Sequence, residues 1–239
     1  MSINAKGMYY KELNELVRQE KENDITLENV NGQRYIGAGS NGKIIRIEGV
    51  PGNALGAYLN GSKLICSTNA QDETGDTMND GEIIINGNCG DACGYAMRGG
   101  KIFVKGNAGY RAGIHIKAYK EKQPSIVIGN KAGAFLGEYQ AGGKIIVLGL
   151  DSDEFPVDKF MATGMHGGKI YIRSDIAPVP ETKQIIAAKA DENDLAEIKK
   201  ELEEFSKYFD VPMSKIMEKS FYVLTPDTKN PYKQLYTNN

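Results

Sequence analysis

A short aliphatic triplet returns along the chain at a nearly fixed interval, and this repeat constrains the fold more than any other feature of the sequence. Four successive triplets begin 19 residues apart, and three more follow at offsets of 24, 19 and 25 residues; the seven begin at Ile45, Leu64, Ile83, Ile102, Ile126, Ile145 and Ile170. The longer offsets indicate insertions. A period of this length is typical of folds in which each repeat stacks on the next.

The pattern inside each triplet predicts a short strand. Its first and third residues are aliphatic or Cys, whereas the middle residue varies from Arg46 to Phe103, as expected for a strand with one buried face. Seven such strands, stacked about 4.8 Å apart in a parallel sheet, place the inward residues in one column. The repeat therefore predicts an all-β fold, a single-stranded parallel β-helix of about seven coils between about residue 36 and residue 173.

Glycines punctuate the repeat, and we interpret them as structural. The chain has 28 glycines in 239 residues, more than the usual ~7%. A Gly-x-x-x-Gly element follows the strands and a Gly-Gly pair precedes them, at Gly52 and Gly56, Gly90 and Gly94, Gly109 and Gly113, Gly133 and Gly137, then Gly142 with Gly143 and Gly167 with Gly168. Glycine adopts positive φ and allows backbones to approach closely. A phosphate loop is disfavoured because Lys101 and Lys144 precede isoleucine and a strand, not Ser or Thr and a helix.

The flanking segments predict helices on either side of the repeat. Residues 8–20 have helical spacing of apolar residues, and a second helix is expected from the N-cap Asp191 to a point before Pro212. A linker around residues 177–180 separates the repeat from this helix, and residues 221–236 read as an extended tail. We divide the chain into an N-terminal helical segment, 1–23, a β-helix domain, 24–176, and a C-terminal helix and tail, 177–239, packed on the β-helix or on a partner.

Composition disfavours several classes of partner. The net charge of −2 gives no field for nucleic acid or an anionic membrane. No apolar run reaches the ~18 residues of a membrane span, and residues 1–10 do not resemble a signal peptide, so a cytoplasmic location is expected. The three cysteines, Cys66, Cys89 and Cys93, are expected to remain thiols there.

No catalytic, cofactor-binding or metal-binding constellation is predicted in this chain. The two histidines, His115 and His166, are too few for a three-histidine zinc site and are interpreted as structural or solvent-facing. The cysteines fit inward filler positions better than metal ligation. An acidic group in one irregular repeat is interpreted as a solvated face, with a weak cation or partner site as the alternative; it comprises Asp72, Glu73, Asp76 and Asp80.

Together these segments resemble a known family. The resemblance is carried by residues 52–58, 87–100, 106–113 and 161–169, with their Gly-Asn-x-Gly and Gly-Gly-Lys spacing, and by Phe221 to Pro226 followed by Tyr232 and Lys233. They are similar to the GXGXG domain at the end of the glutamate synthase large subunit. The resemblance implies a right-handed β-helix that is not itself catalytic and lies between a glutaminase domain and a synthase domain.

The resemblance also implies what the partners would be. This chain has neither catalytic domain, so it matches a free-standing form of the GXGXG domain, a scaffold for glutamate synthesis and ammonia transfer. Its partners would be amidotransferase and flavoprotein synthase chains, which would carry the FMN and the iron–sulfur cluster. Two alternatives stay open: a subunit of formylmethanofuran dehydrogenase, which has a related β-helix, and a stand-alone β-helix enzyme acting on a carbohydrate. Self-association into a homo-oligomer also stays open.

Overall fold

The computed structural model describes residues 1–227 and is dominated by one sheet of eleven strands with three helices. The strands are β1 (Ser2–Asn4), β2 (Asp24–Asn31), β3 (Ile44–Val50), β4 (Asn60–Cys66), β5 (Asp80–Ile85), β6 (Lys101–Val104), β7 (Ser125–Ile128), β8 (Ala141–Val147), β9 (Gly167–Arg173), β10 (Ile185–Lys189) and β11 (Phe221–Pro226). The helices are α1 (Tyr10–Gln19), α2 (Glu192–Phe209) and α3 (Met213–Ile216).

The first nine strands pair in chain order, each parallel to the next. The register joins the first residues of the predicted triplets, so that Leu64 lies beside Ile45 on one side and beside Ile83 on the other. The whole column is buried and comprises Ile45, Leu64, Ile83, Ile102, Ile126, Ile145 and Ile170. The spacing in the sequence therefore gives the observed strand register from β3 to β9.

The sheet is wider than the seven strands expected from the repeat. Strands β1 and β2 extend it at one end, and β11 followed by β10 extends it at the other. These last two strands are antiparallel to their neighbours, with β11 between β9 and β10. Strand β2 continues the triplet pattern, since Ile25 and Leu27 precede Ile45 and Ile47 by 20 residues and pair with them. Strands β1, β10 and β11 lie outside the repeat, and none of the four was predicted from it. Part of the predicted extended tail is β11, whereas Tyr232 and Lys233 lie outside the described residues.

The expectation of a single buried strand face was wrong for the central strands. The middle residues of five triplets are buried as well, and they are Ile84, Phe103, Val127, Ile146 and Tyr171. Helix α2 packs against them through Ile198, Leu202 and Phe205 in a second hydrophobic cluster, separate from the main core. Because α2 covers this face, its strand residues must be apolar, and Arg46 on β3 marks where the cover ends.

Charged residues also hold α2 on the sheet. Its N-cap is Asp191, as predicted, and a reciprocal hydrogen bond with Asp194 completes a capping box. In β6, β8 and β9 the lysine just before the aliphatic triplet pairs with a carboxylate of the helix: Lys101 with Glu204 at 2.5 Å, Lys144 with Glu201 at 2.6 Å, and Lys169 with Glu197 at 2.7 Å. Thus one part of the charged face of α2 is bound to the sheet and not to solvent.

The short N-terminal helix α1 packs on the main core. Leu13 and Val17 of α1 are buried in the main cluster, and the intervening Leu16 is half-exposed. No helix within residues 1–227 combines the length and the apolarity that crossing a membrane requires.

Candidate functional site

The glycine-rich segments between strands form stacked turns with a repeated backbone conformation. We call each a glycine turn; four of them span residues 52–58, 90–96, 109–115 and 133–139. The third, fifth and seventh residues of each turn have a left-handed backbone conformation. In the turn 109–115 these are Arg111, Gly113 and His115, with φ of 57°, 71° and 56°. Backbone hydrogen bonds join successive turns, for example from the Arg111 N–H to the Ala134 carbonyl and from the His115 N–H to the Glu138 carbonyl, both at 2.9 Å.

The second glycine of each turn faces an isoleucine of the next strand but one. A Cβ added at Gly113 would lie 2.3 Å from Cδ1 of Ile145, and one at Gly137 would lie 2.6 Å from Cδ1 of Ile170. The last turn has Ala162 at this position, also left-handed at φ 57°. Within residues 1–227 no parallel strand follows β9, so the described strands offer no further isoleucine to meet that methyl group. The glycine is thus required where the stack continues.

The first glycine of a turn has a different role, which sequence reasoning missed. An Asn or Asp side chain of one repeat, in or just before the turn, hydrogen-bonds to the backbone of the next repeat, in the space where a glycine has no Cβ. Asn88 Oδ1 accepts from the Asn107 N–H at 2.8 Å, and Asp91 Oδ1 accepts from the Tyr110 N–H at 2.8 Å. A Cβ at Gly109 would lie 2.1 Å from that Asp91 oxygen. The recurrent Gly-Asn spacing was the available signal.

The Gly-Gly pairs lie in the first residues of β8 and β9, before the aliphatic triplets, and border a cavity next to Lys144 and Lys169. This cavity, of about 540 Å³, is lined by Gly142, Gly143, Lys144, Gly168 and Lys169, with Glu197 of α2. Both lysine amines already pair with carboxylates of α2. The carboxylates and Tyr171 raise the pKa of Lys169 although burial opposes it. These amines therefore hold the helix on the sheet.

Side chains at the flanking left-handed positions point outward from the turns. A left-handed residue with a side chain costs about 1 kcal/mol or more relative to glycine. Tyr58, His115 and Tyr139 nevertheless occupy such positions, with φ of 57°, 56° and 53°, and all three are exposed. The sequence keeps large side chains on the surface at a conformational cost.

Aromatic rings of successive turns contact one another on this surface. His115 stacks on Tyr139 with ring centroids 5.1 Å apart and an interplanar angle of 15°, and Tyr95 meets His115 edge-on at 6.0 Å. We call Tyr95, His115 and Tyr139 the aromatic face. It is the largest constellation of exposed rings that the turns bring together, and only its histidine was considered in the sequence.

The other candidate residues from the sequence do not converge. His166 is exposed on the turn before β9, whereas Cys66, Cys89 and Cys93 are buried in the main core as free thiols. A hydrogen bond with Cys89, together with burial, holds the pKa of the Cys93 thiol well above its ordinary value, and burial raises the pKa of Cys66. A thiol kept protonated in this way is a weak nucleophile.

The acidic residues of the irregular repeat make separate interactions. Asp72 Oδ1 accepts the Asp91 N–H at 2.9 Å in the turn stack, and Asp80 pairs with Lys122 at 2.8 Å. Across residues 1–227, His, Cys, Asp and Glu side chains nowhere gather in a group of three or more that could hold a metal ion.

Comparison with known proteins places the chain in context. The model of the family described as "GXGXG motif" matches residues 10–227. "Uncharacterized protein MJ1350" of Methanocaldococcus jannaschii is 48% identical over 254 aligned positions, which cover 98% of this chain and 95% of that protein. A chain in the crystal structure of the formyltransferase/hydrolase complex (FhcABCD) from Methylorubrum extorquens, solved with methylofuran, is similar with a TM-score of 0.66. That similarity covers 90% of this chain and 84% of the other at 20% sequence identity.

Proposed function

The chain belongs to the GXGXG motif family, and from this membership we propose that it is a non-catalytic scaffold subunit of a multi-subunit complex of the formyltransferase/hydrolase type, like formylmethanofuran dehydrogenase. The observation that carries the proposal is the similarity, at a TM-score of 0.66, to a chain of the FhcABCD complex over most of both chains. A fold shared over nearly the full length favours a shared architectural role more than a shared reaction.

The fold that we infer for this role is a single-stranded right-handed parallel β-helix. Support comes from the parallel pairing of nine strands in chain order and from a second column of parallel bridges through the turns, Ala70, Cys89, Ala108, Ala132 and Val157. Stacked repeats of this kind form stiff rods with extended surfaces, which suits a part that holds other chains in place. The domain division at residues 24 and 176 is proposed on the same basis.

The nature of the exposed surface also supports a scaffold. The cysteines are buried, Lys144 and Lys169 are paired with carboxylates of α2, and several exposed aromatic side chains, among them Tyr58, Tyr95 and Tyr139, lie on the turns. We therefore propose that the catalytic groups and cofactors of the complex reside on the partner chains. The chain itself supplies surface and spacing.

A glutamate synthase scaffold is the second candidate. The family match and the resemblance of residues 221–226 to the end of the glutamate synthase subunit favour it. In that case the partners would be an amidotransferase and a flavoprotein synthase, and FMN and an iron–sulfur cluster would be found on them. The structural similarity to the FhcABCD chain gives the first candidate the stronger support.

Isolation of the complex distinguishes the two candidates. The tagged chain is purified from its own host under native conditions, and the chains that accompany it are identified by mass spectrometry. We expect formyltransferase or hydrolase chains. Recovery of an amidotransferase with a flavoprotein would support the second candidate, and recovery of the chain alone would contradict both. An assay of the chain alone on formyl and glutamine substrates is the control, with no turnover expected.

A further inference from the structure

A shallow groove adjoins the aromatic face and carries exposed cations. The groove has a volume of about 400 Å³ and is lined by Tyr58, Asn60, Asn79, Arg98, Tyr119 and Lys122. Arg98 follows Tyr95 by three residues, Lys117 follows His115 by two, and the Lys117 N–H donates to the Met97 carbonyl at 2.9 Å. Neighbouring segments therefore carry both the cations and the aromatic rings. The groove and the aromatic face are thus parts of one surface.

The positive charge of this surface is largely unpaired. Arg98, Lys117 and Lys120 are exposed, and none of them forms an ion pair with a carboxylate in the described part of the chain. Lys122 is the exception, because it pairs with Asp80 at 2.8 Å. Of the carboxylates on the neighbouring segments, Glu138 pairs with Arg111 at 2.9 Å, which leaves Asp76 and Glu121 against the three unpaired cations. The surface therefore retains a positive excess.

Helix α2 gives an internal precedent for what such a surface binds. The lysines Lys101, Lys144 and Lys169 of the sheet are covered by this acidic helix, whose Glu204, Glu201 and Glu197 each pair with one of them. Apolar contacts from the same helix fill the spaces between the ion pairs. Within residues 1–227, Arg98, Lys117 and Lys120 have no such carboxylate partners.

We propose that the aromatic face and the groove together form the docking site for an acidic segment of a partner chain. Tyr95, His115 and Tyr139 would supply apolar contact area, and Arg98 and Lys117 would pair with carboxylates of the segment. Aromatic and arginine side chains are the types enriched where interfaces bind most strongly. Charge complementarity would set the orientation and the rate of association. This inference rests on the proposed scaffold function and names the surface through which it operates.

The test begins with the tagged full-length protein expressed in its own host. The variant Arg98→Glu/Lys117→Glu reverses two charges on the surface, and Lys11→Glu/Lys21→Glu makes the same change at two exposed positions elsewhere. We expect the first variant to lose about tenfold or more of the partner recovered by the wild type, and the second to retain it. Equal unfolding midpoints verify that the variants fold. Equal recovery with both variants would overturn the inference.

A photo-crosslinking amino acid in place of Tyr139 identifies the contact directly and leaves the charges unchanged. We expect cross-links to a partner segment in which Asp and Glu outnumber Lys and Arg. Cross-links to a neutral or basic segment, or to a second copy of this chain, would overturn the inference while leaving the scaffold role intact. If the wild type recovers no partner, the scaffold proposal fails first and the docking site fails with it.

Discussion

The side chain of Asn88 accepts a hydrogen bond from the backbone N–H of Asn107 at 2.8 Å. It does so in the space next to Gly106, where a Cβ would lie 2.2 Å from the Asn88 oxygen. An asparagine in one repeat and a glycine in the next repeat are therefore coupled in space. This relationship explains why the two residue types recur together along the repeat.

The coupling predicts that the cost of Gly106→Ala depends on the residue at position 88. In the wild-type background the new Cβ displaces the Asn88 side chain and breaks its hydrogen bond, at a cost of about 1 kcal/mol or more in unfolding free energy. In the Asn88→Ala background only the 3.1 Å approach to the Gly87 carbonyl oxygen remains of these contacts, and because Gly106 lacks a positive φ, alanine also gains about 0.4–1 kcal/mol through the unfolded state. The cost should therefore be clearly smaller in this background. Urea unfolding of the four proteins of this cycle measures the effect. Equal costs in both backgrounds would contradict it.

Replacing the second glycine of a turn by alanine should cause a larger loss of unfolding free energy. Gly113→Ala places a left-handed alanine 2.3 Å from Ile145 Cδ1, and strain plus overpacking should cost about 3 kcal/mol. Gly42→Ala is the matched control because Gly42 has a similar φ of 68° but no atom within 4 Å of the added Cβ. It should cost about 1–2 kcal/mol. Adding Ile145→Val should recover part of the stability lost in Gly113→Ala. Thermal unfolding measures these effects, and equal losses of stability in Gly113→Ala and Gly42→Ala would contradict the packing explanation.

The buried ion pair between the sheet and α2 predicts a non-additive pair of variants. Lys144 and Glu201 lie 2.6 Å apart with side-chain exposures of 16% and 7%. Glu201→Leu alone leaves the Lys144 ammonium without its carboxylate partner and should lower the unfolding free energy by about 3 kcal/mol. The double variant Lys144→Met/Glu201→Leu should recover most of that loss. Asp24→Ala, which removes the exposed partner of Arg46, is the control and should cost under about 1 kcal/mol. Additive losses in denaturant titrations would count against this prediction.

The contact between Glu82, Lys63 and Tyr208 predicts a loss of stability in acid. Burial disfavours the Glu82 carboxylate, but hydrogen bonds from Lys63 and Tyr208 outweigh it and lower its pKa below the ordinary 4.5. A lowered folded pKa means that the unfolded chain binds the proton first. The stabilisation is therefore complete above pH 4.5 and disappears as the pH falls through the folded pKa.

The measurement is unfolding free energy against pH for the wild type and for Glu82→Gln. The variant should be less stable at neutral pH and should show a shallower decline in acid. Identical acid slopes would show that Glu82 does not contribute. Glu22→Gln serves as an exposed comparison, since Glu22 pairs only with the chain amino group at 2.7 Å and is 62% exposed.

The sequence predicts the stacked core well because the aliphatic residues that form the column recur at a nearly fixed spacing along the chain. Leu64 between Ile45 and Ile83 is a local, periodic signal that needs no knowledge of the rest of the fold. The burial of Phe103 and Tyr171 could not be predicted in this way, since it depends on α2, which lies far along the chain. Strands β10 and β11 were missed for the same reason: their pairing is antiparallel and outside the repeat.

The candidate surface was hardly predictable from the pattern alone. Tyr95, His115 and Tyr139 are separated by 20 and 24 residues, and two of them occupy the equivalent position of the turn whereas Tyr95 lies one place earlier. Only the stacking of the turns brings the rings within 5.1 and 6.0 Å of one another. The Asn and Asp side chains between turns could have been predicted from the recurrent Gly-Asn pairs.

The most direct test of the scaffold role compares assembly with and without this chain. The partner chains identified by purification are co-expressed in both conditions, and native mass spectrometry and formyl transfer are measured. We expect one stable complex with full activity when the chain is present, and dissociated partners with reduced activity when it is absent. A complex of unchanged stoichiometry and activity in its absence would contradict the account.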